Sequence, residues 1–182
     1  MTTIAVIVTV AVILGFFISG YNRGVTLRNY VREAFSMMDV YMKKRWDLIP
    51  NLLECVKGYI QHEKSVLEQV TKLRNKNYTN LTDSEKMDIN SQLSFGLSKL
   101  IAVAENYPDL KANQQFTQLM SELTTVENEI ANSRKYYNGT VRELNNFTEL
   151  FPTNIVASLF GIKAAKMFEI NEKERENVKV SF

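Results

Sequence analysis

Apolar residues recur along this chain in steps of three and four, the spacing that places them on one face of an α-helix. After an opening apolar block, the first stripe reads Leu27, Val31, Phe35, Met38, Met42, Trp46, Ile49, Leu53, Val56, Ile60, Leu67 and Val70. Pro50 stands inside it, and the phase passes the proline without slipping. A loop would normally insert or delete residues. The intact phase therefore predicts one continuous helix kinked at Pro50, where the missing N–H leaves the Trp46 carbonyl without its bond. A tight turn between two helices is the alternative.

The polar stretch NKNYTNL, residues 75–81, ends that helix. Thr82-Asp83-Ser84-Glu85 then has the form of a capping box, in which two side chains satisfy each other's free backbone donors. It opens a second helix with Leu93, Leu97, Leu100, Ala104 and Tyr107 on one face, stopped by Pro108. Asn113 is the expected N-cap of a third, whose stripe reads Phe116, Met120, Leu123, Val126, Ile130, Tyr137, Val141, Leu144, Thr148 and Phe151. Asn138-Gly139 would mark a hairpin between strands, but the helical period runs through it. Pro152 ends the third helix, and TNIVASLFG reads as a short fourth, capped by Gly161.

The opening block, Ile4 to Tyr21, carries no charge and as a helix spans about 27 Å, the thickness of a bilayer's hydrocarbon. A cleaved secretory signal would carry a preceding Lys or Arg and a small-residue cleavage site, and neither is present. The block is read as a membrane anchor. Arg23, Arg28 and Arg32 follow it and nothing basic precedes it, so the short N-terminus is expected outside and the larger part in the cytoplasm. Three parts are expected: residues 1–21 as anchor, 22–162 as an all-α antiparallel bundle, and 163–182 as a charged, poorly ordered tail.

Length suggests a layout. The second helix covers about 37 Å and the third about 57 Å. A reversal at Pro50 would drive the surplus of the third helix back toward the bilayer, and its end, RKYYNGTVRELNNF, is too polar for lipid. A continuous first helix instead points the surplus away from the membrane. A hinge near Gly20 or Gly24 would rescue the other layout. The continuous layout leaves the stripe from Leu27 to Met42 short of an intrachain cover and open to a second copy. Ala11, Gly15 and Ser19 have the small-xxx-small spacing that lets membrane helices approach closely.

Composition changes little. The 182 residues include only 7 Gly and 3 Pro, as suits a helical protein, and a net charge of +2 leaves no nucleic-acid footprint. Cys55 has no second cysteine to pair with and no adjacent His to activate it. His62 lacks a partner for metal binding. The cluster Lys43, Lys44, Arg45 and Asp47 reads as a solvated face with Asp47 paired to a neighbouring cation, more readily than as a headgroup site, because about 33 Å of helix separates it from the anchor. No phosphate-binding glycine loop occurs. No catalytic, cofactor-binding or metal residue is therefore expected, and no small-molecule substrate. Carboxylates such as Glu127 and Glu129 are the basis of a weaker, enzymatic alternative, and a lipid-surface or envelope sensor is another. The expected partners are the bilayer, through residues 4–21, and either a second copy or another envelope protein.

The chain resembles the LemA family of bacterial membrane proteins. The likeness covers nearly its whole length: the anchor, then YNRGVTLRNYVREAFSMMDVYMKKRWDLIPNLLECVKGYIQHEKSVLEQV with its K-R-x-D-L-I-P-N-L core, AENYPDLKANQQF, VENEIANSRKYYNGTVRELNNFTELFPTNIVASLFG, and the closing VKVSF. Ser181 stands where the family typically carries Asp. The resemblance implies a helical bundle behind an N-terminal membrane helix, with the short N-terminus outside, a LemA-like four-helix bundle without an established reaction. Arg45, Asp47, Pro50, Asn51, Arg134, Asn138 and Asn145 match the family pattern. They are expected to hydrogen-bond between the first and third helices and fix the kink, with partner binding as their other role.

Overall fold

The computed structural model describes residues 1–59, 64–74 and 76–169, and among them it contains helices and no strand. Six α-helices follow in order: α1 (Thr2–Lys57), α2 (Lys64–Arg74), α3 (Asp83–Ala104), α4 (Pro108–Lys111), α5 (Gln114–Glu149) and α6 (Thr153–Leu159), with a 3-10 turn at Tyr78–Asn80. The described chain falls into two compact units, residues 1–37 with 133–167 and residues 38–132 with 168 onward.

α1 runs unbroken through Pro50. It does not continue to Val70 as its phase suggested. It ends at Lys57, where Gly58 weakens the helix and the Tyr59 N–H turns back to the Val56 carbonyl at 3.0 Å. His62 and Ile60 lie outside the described residues. Pro50, Leu53, Glu54 and Lys57 line one cleft of about 390 Å³ with Leu67, Thr71 and Arg74, so α2 doubles back beside the end of α1.

Within residues 38–132 the side-chain partners fix the topology. Lys86 reaches Asp39, Ser94 reaches Arg45, and Leu97 and Leu100 share a core cluster with Leu52 and Val56. α3 therefore runs parallel to α1. α5 begins beside the same cluster, with Phe116 and Leu123 in it, and Glu127 then meets Arg45, so α5 runs antiparallel. The buried seam of α1 passes through Met38, Met42, Arg45, Ile49, Leu52 and Val56. Leu52, not the expected Leu53, takes the inward position.

The ends follow local chemistry. Thr82 and Glu85 form the expected capping box at α3. The Asn113 side-chain oxygen accepts from the Phe116 N–H at 3.1 Å at the start of α5. Gly161, at φ +64°, closes α6 in the left-handed conformation that glycine adopts without strain. There the Ile162 N–H reaches the Ala157 carbonyl at 2.9 Å.

Residues 1–37 and 133–167 overturn one expectation. The stripe Leu27, Val31 and Phe35 is not open: all three are buried. Tyr137 packs edge-on to Phe35 with ring centroids 5.8 Å apart, and Phe147 and Ile162 close over Gly24. The second half of α5 thus lies antiparallel along this part of α1 instead of extending away from it. The physical reason is that Tyr137, Val141 and Leu144 of α5 form an apolar seam of their own, and burying it against Leu27, Val31 and Phe35 removes both from water. The polar residues of α5 need not enter lipid, because residues 1–16, exposed throughout, precede the contact. That opening part of α1 is long and apolar enough to cross a membrane. Phe151, expected on the α5 stripe, falls beyond the helix end at Glu149 and is exposed.

The segment after α6 is held in place as far as Met167. Asn145 clamps Ala165 with two hydrogen bonds, donating to its carbonyl at 3.0 Å and accepting from its N–H at 2.9 Å. The Tyr137 hydroxyl donates to the Lys166 carbonyl at 2.9 Å. The rest of the expected tail, from residue 170, lies outside the described residues.

Candidate functional site: a buried arginine shared by three helices

Arg45 occupies an apolar seam position of α1, three residues after Met42 and four before Ile49, and its exposure is 0%. Burying a guanidinium costs several kcal/mol, of order, unless hydrogen bonds replace its water. Here they come from two neighbouring helices. Nη1 donates to the Ser94 hydroxyl of α3 at 2.6 Å and to the Glu127 carboxylate of α5. Nη2 donates to the Asn90 carbonyl at 2.6 Å and to the side-chain oxygen of the same residue. The Glu127 side chain keeps 37% of its surface in solvent, so the network reaches the protein's exterior on one side.

A second polar group joins Asp39 of α1, Lys86 of α3 and Tyr78 of the 3-10 turn. The Tyr78 hydroxyl donates to one Asp39 oxygen at 2.6 Å and the Lys86 ammonium to the other at 2.6 Å. The Tyr78 ring leans on Trp46, centroids 5.3 Å apart, and Lys86 stands 5.1 Å from its centre, within cation–π range. Burial, and after it the hydrogen bond to Asp39, pushes the Tyr78 phenol far above its ordinary value. It is held as a hydrogen-bond donor, not poised as a base.

The other motif residues fall in several places. Asp47 is exposed and pairs with Lys43 one turn earlier on its own helix at 2.5 Å, so it bridges no helices. Asn51 is exposed, and Pro50 lines the cleft against α2. Arg134 and Asn138 are half-buried on α5. Asn145 holds the segment after α6, not α1. Of this set, Arg45 is the residue whose side chain is seen to join α1 to α5, through Glu127. Sequence reasoning missed Asn90 and Ser94 as its companions, and missed the separate group of Asp39, Tyr78 and Lys86. The available signal was polar residues standing in helical register with buried ones: Asn90 three before Leu93, and Arg45 between Met42 and Ile49.

Burial pushes the Cys55 thiol up, away from the reactive thiolate. Among the described residues no group of three or more His, Cys, Asp or Glu is placed to hold a metal. A charge-assisted, multiply bonded arginine that joins three helices fixes their register.

A long apolar N-terminal helix continuous with an all-α bundle, tied internally by one buried arginine, defines a membrane-associated helical protein. The chain belongs to the LemA family, whose pattern matches residues 34–182. Protein LemA of Metamycoplasma hominis is 25% identical over 176 residues, which cover 96% of this chain and 80% of that protein. Magnetosome proteins MamQ 2 and MamQ 1 of Paramagnetospirillum magneticum are each 32% identical over 73 residues, 40% of this chain and 27% of theirs.

Proposed function

We propose that this protein is a membrane-anchored helical scaffold or adaptor of the bacterial cell envelope. Residues 4–21 are its single transmembrane pass, with the short N-terminus outside and a four-helix, coiled-coil-like bundle on the cytoplasmic side, where Arg23, Arg28 and Arg32 favour retention. One observation carries the reading: α1 is a single helix from the exposed apolar start to the buried Arg45. A partner gripping the bundle is thereby tied directly to the bilayer. Glu127, one of the two carboxylates of the enzymatic alternative, is held by Arg45, and Tyr78 is bonded to Asp39.

The partner-facing surface is the outer face of α1, where Tyr30, Met37 and Val40 are exposed at helical spacing. Photo-reactive residues placed at each of these positions in the native membrane test the proposal. A single heterologous adduct, identified by mass spectrometry, supports an adaptor. A band at twice the monomer mass supports a self-assembling scaffold. The absence of any adduct at all three positions would remove the scaffold reading.

A further inference from the structure

We infer that α6 and its flanks form an amphipathic ledge that sits in the headgroup region of an anionic bilayer beside the anchor. The ledge rests on the reading of residues 4–21 as a transmembrane pass.

Three contacts set its level. Val156 lies against Gly20 so closely that a Cβ there would stand 3.0 Å from it. The Tyr21 and Phe160 rings are 4.9 Å apart. Phe17 lines a groove with Ile155 and Leu159. Residues 17–21 are the last turn of the uncharged run, and Arg23 is the first charge after it. A membrane spanned by that run therefore ends where α6 is docked.

The outward side of the ledge is wrong for water. Val156 and Ala157 face inward and are buried, yet Phe151 is 81% exposed, Leu159 66% and Leu150 60%, with Ile155 and Phe160 also open. An ordinary surface helix would turn polar residues outward. Large apolar and aromatic side chains at this depth match the interfacial zone, where they enter the boundary between headgroups and acyl chains. Charge agrees: residues 150–168 contain no Asp or Glu, and Lys163 is exposed just beyond the helix. Anionic headgroups meet no like charge from this segment.

Spin labels on the full chain in phosphatidylglycerol–phosphatidylcholine vesicles test the ledge. Cys55→Ser removes the native thiol, and single cysteines then replace Leu159 in the ledge, Phe16 in the anchor and Tyr136 on the exposed face of α5. The expected result is that the Leu159 label collides several-fold more with oxygen than with a nickel chelate, at a depth shallower than Phe16, while Tyr136 shows the aqueous pattern. An aqueous pattern at Leu159 with a buried Phe16 would overturn the ledge and leave the anchor standing. An aqueous pattern at both would overturn both. Leu159 shielded from oxygen and nickel alike, with spin–spin broadening that vanishes on dilution with unlabelled protein, would mean that a second copy covers this face, and would also overturn the ledge.

Discussion

Arg45 of α1, wholly shielded from solvent, donates to the carboxylate of Glu127 on α5, which is itself partly solvated. The two partners therefore differ in what their loss leaves behind. Without Arg45, Glu127 can turn to water. Without Glu127, a buried cation keeps only neutral acceptors, Ser94 and Asn90.

Glu127→Ala should cost about 1–3 kcal/mol, below the full range for a buried pair because the carboxylate already meets solvent. Arg45→Lys should cost a similar amount, because a point ammonium cannot replace a fork that bonds Glu127 and Asn90 together. Denaturant unfolding of the detergent-solubilised chain measures both. Two changes within experimental error of wild type would show that the network does not hold the bundle.

Gly24 and Gly139 should respond oppositely to the same substitution. A Cβ at Gly24 would stand 2.3 Å from the Ile162 Cδ1 and 2.8 Å from the Phe147 ring, whereas nothing lies within 4 Å of one at Gly139. Gly139→Ala should stabilise by about 0.5–1 kcal/mol through helix propensity. Gly24→Ala should be net destabilising by about 1 kcal/mol, overpacking outweighing propensity. Shortening the neighbour with Ile162→Val in the same chain should recover part of that loss. Equal effects at the two glycines would contradict the close packing over Gly24.

Alkaline stability should report on Tyr78. Its phenol is raised in the folded state above the ordinary 10.0. The folded form thus keeps a proton that the unfolded form releases. The contribution is complete below pH 10 and is lost progressively above it, by about 1.4 kcal/mol per pH unit until the folded phenol itself ionises. Tyr78→Phe, which has no proton to lose, should flatten that part of the profile. An unchanged slope would place the effect elsewhere.

Glu85 offers a local check at acid pH. Its carboxyl is held below the usual range, chiefly by the Thr82 backbone N–H and then by the Thr82 hydroxyl. Folded-state stability from this group is present above its unfolded value and lost as pH falls through the lowered one. Thr82→Ala removes the hydroxyl, and an NMR titration should then find the Glu85 carboxyl moved up. No movement would mean that the hydroxyl has no part in the cap.

What the sequence made legible is local. Thr82, Asn113 and Gly161 announce helix ends because a cap is complete within four or five residues, and the uncharged run from Ile4 needs no partner to be recognised. The course of the chain was harder to read. Gly58 is one weak helix residue in a stripe that continues in phase to Val70, so periodicity carried the first helix past its true end. The expected layout also left the stripe from Leu27 to Met42 uncovered, because nothing local shows that Tyr137 would pack on Phe35. The Arg45 network was legible only as a position. Charge and the neighbours Lys43, Lys44 and Asp47 put Arg45 on an expected solvated face, and the structure overturns that. It is wholly buried, in step with Met42 and Ile49, because Asn90, Ser94 and Glu127 become its partners once α3 and α5 lie alongside.

The closure of Phe147 and Ile162 over Gly24 has a consequence during synthesis. The apolar helix leaves the ribosome well before the side chains that cover the segment just behind it, Phe147 and Ile162, have been made. At translation rates of about 5–20 residues per second, that cover arrives many seconds after the helix could have entered a bilayer. For that interval Leu27, Val31 and Phe35 lack the cover they have in the finished fold, so the nascent chain must shelter them by other means until α5 and Ile162 emerge.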